Sequence, residues 1–377
     1  MKKIAIIGGG ISGLYFANLL QKNKKYKYKV FEKKSHLELN DGYGIQLSVN
    51  SIKLLNEIGF KNIEAHEISF PNKLNFYDAK NCKKICDIDI SKFNYENNRY
   101  VTLKRSTLVN FLLKNISEKN IIKSCELTSI NYKDKISLSF SNNHDEQFDY
   151  LLVSDGVFSK SKSIILQKEI SPKYYNSVAL RGSMKNIESS DISLYLGSKF
   201  HFVIYPVNQN KEFNFISIIR KNLKKEQIAD KNYFENYEFL QSLIHEISAK
   251  TSFNLKGKIQ NIKSFPIFIS DKFKKPEKRN IFFVGDALYA FPPSFAQGAS
   301  QSIESSKEVY EEIENNTYTY YQNRYKKIKS VSSRSIINNF AFHLSNPLTV
   351  LIRNIVLKYL TKNKSFLENY LGKIYKN

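Results

Sequence analysis

Nothing constrains the fold of this chain more than its opening stretch. An apolar run, Lys2-Lys3-Ile4-Ala5-Ile6-Ile7, passes straight into Gly8-Gly9-Gly10-Ile11-Ser12-Gly13 and then into Leu14-Tyr15-Phe16-Ala17-Asn18-Leu19-Leu20. Strand, glycine turn and helix follow without a spare residue. Gly8 permits the turn, Gly10 lets backbone approach a pyrophosphate, and Gly13 lets the helix pack on the strand, so that the helix N-terminal N–H groups face the phosphates. The acid such a unit needs is Glu32, nineteen residues past Gly13 at the end of a second strand, Tyr28-Lys29-Val30-Phe31. There its carboxylate can accept both ribose hydroxyls. A strand–turn–helix–strand unit with the acid in place binds a dinucleotide.

At 377 residues the chain exceeds what one hydrophobic core usually serves, and 42% hydrophobic content suffices for two domains. No cleavable signal precedes the first strand and no apolar run reaches the ~18 residues of a membrane span, so the cytoplasm is the expected location. Cys82, Cys86 and Cys125 have neither paired spacing nor histidines nearby, which supports neither a disulfide framework nor a metal site. The net charge of +23 invites a nucleic-acid reading, but the lysines are spread in small groups along the whole chain and none sits in a recognised nucleic-acid motif. A solvated basic surface and no nucleic-acid partner are expected.

Beyond Glu32, Asp41-Gly42-Tyr43-Gly44-Ile45-Gln46-Leu47 offers glycines that let backbone approach a ligand. A helix with Ile52, Leu55 and Ile58 on one face follows and stops at Gly59. Residues 69–96 alternate weakly, as strands of another layer. Arg105 precedes an amphipathic helix for which Ser106 is the expected N-cap. Leu127 to Tyr132, Ile136 to Phe140 and Phe148 to Ser154 read as a three-strand meander ending in Asp155-Gly156. From about 175 to 270 the pattern is antiparallel β, with a helix through Phe239, Leu243 and Ile247. Ile281 to Val284 then returns to a buried strand ending in Gly285-Asp286, and a helix is expected to begin near Gln301. The fold class is therefore α/β, with a discontinuous Rossmann-like domain (1–68, 97–174 and 276–317), an inserted antiparallel substrate domain (69–96 and 175–275) and a C-terminal helical region (318–377).

This combination resembles the single-component FAD-dependent aromatic monooxygenases, which include the p-hydroxybenzoate, salicylate and urate hydroxylases and the ubiquinone-pathway hydroxylases. The features that carry it are GxGxxG with Glu32, Asp155-Gly156 after a strand, and Gly285-Asp286 ahead of Pro292-Pro293 and Gln297-Gly298-Ala299. Locally, Gly44-Ile45-Gln46-Leu47, Leu180-Arg181-Gly182, Tyr205-Pro206 and Gln301-Ser302-Ile303-Glu304 look closest to the salicylate-hydroxylase-like branch. The resemblance implies that Gly8, Gly10, Ser12 and Gly13 hold the FAD pyrophosphate, Glu32 with Lys33 beside it the adenosine ribose, Arg105 the phosphate and ribitol region, and Leu127 the adenine side. It further implies that Asp286 bonds the ribitol, that Gly298 and Ala299 present N–H groups to the pyrimidine edge, and that Asp155 and Gly156 serve FAD and NAD(P)H together. NADH or NADPH would reduce the flavin, dioxygen would give a flavin hydroperoxide, and an electrophilic oxygen would pass to a ring held near Pro292 and Pro293, without a metal.

Tyr289, Ser300 and Lys162 stand where the family usually has His, Asn and Arg. One alternative is accordingly a flavin-binding protein without turnover; another, within the same resemblance, is a ubiquinone-pathway hydroxylase acting on a polyprenyl phenol. For the small aromatic substrate, Arg181, His201 and Tyr205 are the candidates, in a pocket expected to be lined by Phe200, Phe202 and Phe291. The last helix, through Leu348, Leu351, Ile352, Ile355, Val356 and Tyr359, is basic and amphipathic. It could touch a membrane peripherally, but packing against the FAD domain or a second subunit is the favoured expectation, leaving the chain a monomer or a homodimer.

Overall fold

Four consecutive buried residues, Ile4 to Ile7, place the first strand at the centre of a five-stranded parallel sheet, because only a strand covered on both faces tolerates an unbroken apolar run. The computed structural model describes residues 1–37, 43–185, 187–255 and 257–376; Asp41 and Gly42 lie outside them. Strand order in this sheet is Ile281–Phe283, Tyr150–Val153, Lys2–Ile7, Tyr26–Phe31 and Ile121–Ile122. Its strands come from three distant parts of the chain. Helix Ile11–Gln21, buried along nearly its whole length, crosses from the first strand to Tyr26–Phe31 and packs against helix Gly298–Asn315.

A seven-stranded sheet forms the second layer, in the order Gln260–Ile269, Lys173–Lys185, Glu212–Arg220, Phe200–Pro206, Ile192–Gly197, Lys73–Asp78 and Lys84–Asp89. Residues 73–89 thus join it from the first third of the chain. The sheet is not wholly antiparallel, since Ile192–Gly197 runs parallel to Lys73–Asp78. One face packs Phe200, Phe202 and Phe215 under helix Tyr237–Ser248. A short strand, Gly44–Leu47, bridges the two layers: Gly44 N–H donates to Asn214 Oδ1 (2.7 Å), and a Cβ on Gly44 would lie 2.5 Å from that of Asn214.

Several expectations need correction. The third strand of the meander is Asp145–Phe148, whereas Tyr150–Val153 pairs in parallel with Lys2–Ile7. The helix expected near Gln301 starts at Gly298. Ser106 is not an N-cap, because its helix begins at Arg105 with Lys104 in the cap position. Helix Pro347–Leu360 does not bury its apolar stripe: Leu348, Leu351, Ile352, Ile355, Val356 and Tyr359 are all exposed.

Candidate functional site at the junction of the two layers

The glycine turn separates what the protein needs from what a ligand needs. Gly8 has φ +100°, and a Cβ there would sit 2.6 Å from the Ser154 carbonyl oxygen; one on Gly13 would sit 2.2 Å from the Gly8 oxygen. Both positions are closed to side chains by the fold itself. At Gly10 the nearest atom to an added Cβ is the Ser154 oxygen at 4.0 Å, so the space is open. Helix Ile11–Gln21 has no side-chain cap, which leaves its first-turn N–H groups for an anion. Glu32 sits beside them, accepting from the N–H groups of Gly9 (2.8 Å) and Lys34 (3.0 Å). Ser12 is buried under Ser306, Lys33 is exposed, and Leu127 is buried in the core of the meander.

Asp155 and Gly156 follow strand Tyr150–Val153 and lie against the turn, since a Cβ on Gly8 would come within 2.9 Å of the Asp155 Cα. Burial raises the Asp155 carboxyl, against hydrogen bonds from Ser159 and Ser161 that lower it; its Oδ2 accepts from Ser161 N–H (3.3 Å). Arg105 opens its helix with its N–H on the Tyr43 carbonyl (2.7 Å). Lys162 is buried and donates to the Leu288 carbonyl (2.9 Å), with burial bringing its amine down to about 8. It staples the Asp-Gly segment to the Gly-Asp segment and so acts within the fold.

From Asp286 and the N-terminus of helix Gly298–Asn315, a cavity of about 920 Å³ runs beneath the seven-stranded sheet. The side chain of Asp286 is exposed to the cavity, and its depth in the molecule pushes the carboxyl up to about 6. Gly298 is uncapped and open, with no atom within 4 Å of an added Cβ. Ala299 and Pro293 line the cavity, but Pro292 does not; its carbonyl accepts from Ser335 Oγ. Ser300 also turns away, and its hydroxyl lies 2.9 Å from that of Ser51.

Strand Phe200–Pro206 decides which side chains reach this space. Its period of two sends His201, Val203 and Tyr205 into the cavity and Phe200, Phe202 and Ile204 into the opposite core. The expected Phe200 and Phe202 lining is therefore wrong, while Phe291 does line it. Aliphatic and aromatic side chains together make up most of the wall, including Ile88, Ile192, Leu194, Ile218, Phe76 and Phe295. Polar groups gather at the end near Gly44. Arg181 stands over the Tyr43 ring at 5.3 Å, and Tyr100 donates to Gln46 Oε1 (2.8 Å). Burial pushes the Tyr205 phenol up, with Arg181 pulling it down. His201 Nδ1 lies 2.8 Å from His343 Nε2; burial takes His201 well below the usual imidazole range and His343 to about 3, so both rings are neutral. Gln46, Tyr100 and His343 escaped sequence reasoning as site residues because their contacts are long-range; Gln46 stands in the Gly44–Leu47 stretch, but nothing local says that it meets Tyr100.

Residues 6–40 match the family described as an NAD(P)-binding Rossmann-like domain. The chain is 22% identical over 347 residues to the FAD-dependent monooxygenase pigN of Monascus ruber, a match covering 80% of this chain and 74% of that protein. In fold it is similar to a variant of Klebsiella pneumoniae HpxO complexed with FAD (TM-score 0.85, 15% identity, 100% of this chain and 99% of that one). A salicylate hydroxylase substrate complex superposes with TM-score 0.78 at 16% identity, over 100% of this chain and 95% of that one. Along four-fifths of its sequence the chain is similar to a FAD-dependent monooxygenase, and over its whole length it shares the fold of the FAD-bound HpxO variant and of the salicylate hydroxylase complex.

Proposed function

We propose that the chain is a FAD-dependent, NAD(P)H-consuming monooxygenase that hydroxylates an aromatic or heteroaromatic ring. The observation that carries this is one continuous cavity joining Asp286 and the Gly298 helix N-terminus, at the flavin end, to the polar cluster around Arg181 and Tyr205. The residues fit the cofactor. Space at Gly10 and uncapped N–H groups suit a pyrophosphate, Glu32 suits the ribose, and Arg105, Asp155, Gly156 and Asp286 complete the cradle. When bound, FAD supplies the activation of dioxygen that hydroxylation requires.

The chain's own residues do the remaining work. The uncapped N–H groups at Gly298 and Ala299 would hold the flavin edge and offer it partial positive charge. Arg181 attracts an anionic group or phenolate of the ring. Neutral His201, oriented by His343, can accept a hydrogen bond from a phenolic hydroxyl, since a neutral imidazole keeps one acceptor nitrogen. The apolar wall excludes water from the ring.

The test is NADH or NADPH consumption by the purified protein with phenols, salicylates, purines and alkylated phenols, with product analysed for oxygen from isotopically labelled dioxygen. Substrate-stimulated consumption with label in the product is expected. Bound flavin that no nicotinamide reduces across the panel overturns the reading in favour of a binding protein.

Asp286 supplies an independent check. Its raised carboxyl means that the folded apoprotein holds a proton the unfolded chain releases, so stability falls as pH rises from the ordinary carboxylate range through about 6. Asp286→Asn removes that penalty. The Asn apoprotein should melt a few degrees higher than wild type at pH 8, about 1 kcal/mol after allowing for water in the cavity, and equally at pH 4. Its flavin content should drop, because the carboxylate acceptor for the ribitol is gone. Unchanged melting and unchanged flavin at pH 8 would remove Asp286 from the site.

A further inference from the structure

Helix Pro347–Leu360 is built inside out. Among its residues only Arg353 is buried. The Arg353 guanidinium donates to Asn354 Oδ1 (2.9 Å) and to the Ala341 carbonyl (3.5 Å). The apolar stripe points the other way: Leu351 is 57% exposed, Ile355 59% and Tyr359 68%. Helix Tyr320–Phe342 adds Ile336, Ile337 and Phe340, with Phe340 62% exposed. Burying such side chains is favourable, so a patch of this kind marks a surface that meets another apolar phase.

Two observations identify that phase. The first is charge. Residues 318–377 carry eleven Lys and Arg against a single acid, Glu368, and Lys329, Lys358, Lys362 and Lys364 are exposed around the patch helices. A second copy seated on the same face would bring like charges together, whereas an anionic bilayer attracts each cation. The second is the position of the cavity mouth. Ile337, Phe340, Ile352 and Val356 are exposed and at the same time line the cavity that leads to Arg181 and Asp286. A protein partner here would plug the entrance; a bilayer would feed it. Among the described residues no helix is long and apolar enough to cross a membrane, so the contact is interfacial.

We propose that the apolar face of helices Tyr320–Phe342 and Pro347–Leu360 docks on the surface of an anionic lipid bilayer, and that the cavity takes an amphiphilic aromatic substrate with a hydrocarbon tail from that bilayer. The substrate half rests on the hydroxylase reading; the docking half does not.

Full-length holoprotein is floated with vesicles of phosphatidylcholine mixed with phosphatidylglycerol, and with phosphatidylcholine alone. Wild type is expected to float with the mixed vesicles, more weakly with the zwitterionic ones, and less at high salt. Leu351→Glu with Ile355→Glu, neither residue lining the cavity, should lower the bound fraction about tenfold with flavin content and circular dichroism unchanged. No flotation of wild type, or equal flotation of the double variant, overturns the docking. So does a wild-type dimer by sedimentation that the double variant dissociates. If flotation holds but alkylated phenols are turned over no better than bare phenols with vesicles present, the substrate half falls alone.

Discussion

Gly10→Val is expected to give a folded protein with less than about a tenth of the wild-type flavin, whereas Gly13→Val should not accumulate as folded protein at all. At Gly13 an added Cβ would lie 2.2 Å from the Gly8 oxygen and 2.7 Å from Ser154 Oγ. Backbone on one side and the central strand on the other leave no room to relax, so helix Ile11–Gln21 must leave the sheet. Gly10 is different: its φ is −83°, and the nearest atom to an added Cβ is 4.0 Å away. The cost to the apoprotein is confined to a poorer helix cap, about 1 kcal/mol. Only a ligand can need that space, and the branched Val side chain would occupy the path of the pyrophosphate. Flavin absorbance per protein and thermal melts of both variants separate the two effects. A Gly10→Val protein that retains full flavin would contradict the placement of the pyrophosphate, and so the reading of the whole site.

Gly8, Gly10, Gly13 and Glu32 were legible because their demands are local. A tight turn, a close approach and an acid after the next strand are all written within thirty-two residues. Elsewhere the sequence carries the element but not its partner. Tyr150–Val153 is an apolar run that could close a meander or enter a parallel sheet, and only the vacancy beside Lys2–Ile7 decides. Asp145–Phe148, with three polar residues out of four, shows no strand pattern although it pairs with Ile136–Phe140. Alternation in Phe200–Pro206 was plain, yet parity alone does not say which face meets the cavity, so Phe200 and Phe202 were placed on the wrong side. The apolar stripe of Pro347–Leu360 was equally plain; periodicity reveals a stripe without saying what covers it. Gly298 reads as loop because glycine weakens a helix interior, but at a first turn that faces a ligand it costs little.

Arg324→Met should be the most destabilising single change outside the glycine turn, about 3–5 kcal/mol. Arg324 is 1% exposed. Its Nε donates to Glu308 Oε2 and one terminal nitrogen donates to Gln301 Oε1, both at 2.8 Å, while Glu304 Oε2 lies 3.5 Å away. Glu304 is itself buried and its other oxygen accepts from Asn50, so without the arginine its closest cation among the described residues is Lys327 at 3.5 Å. Burial already pushes the Glu308 carboxyl up against the pull of Arg324, and removing the cation raises it further. The folded variant then binds protons that the unfolded chain releases, so its stability falls as pH rises above the ordinary carboxylate range. The deficit relative to wild type should therefore be smaller at pH 5 than at pH 8. Adding Glu304→Gln should recover part of it, a coupling that a double-mutant cycle reads directly. Gln301 also bonds to Gln297 (3.2 Å), immediately before Gly298, and Gln297 bonds to Ser48 (2.9 Å). Through that chain the arginine fixes the start of the helix whose first residues, Gly298 and Ala299, line the cavity. Flavin content of Arg324→Met should consequently fall even at temperatures where the protein is folded; full flavin retention with a lowered melting temperature would confine Arg324 to packing the two helices.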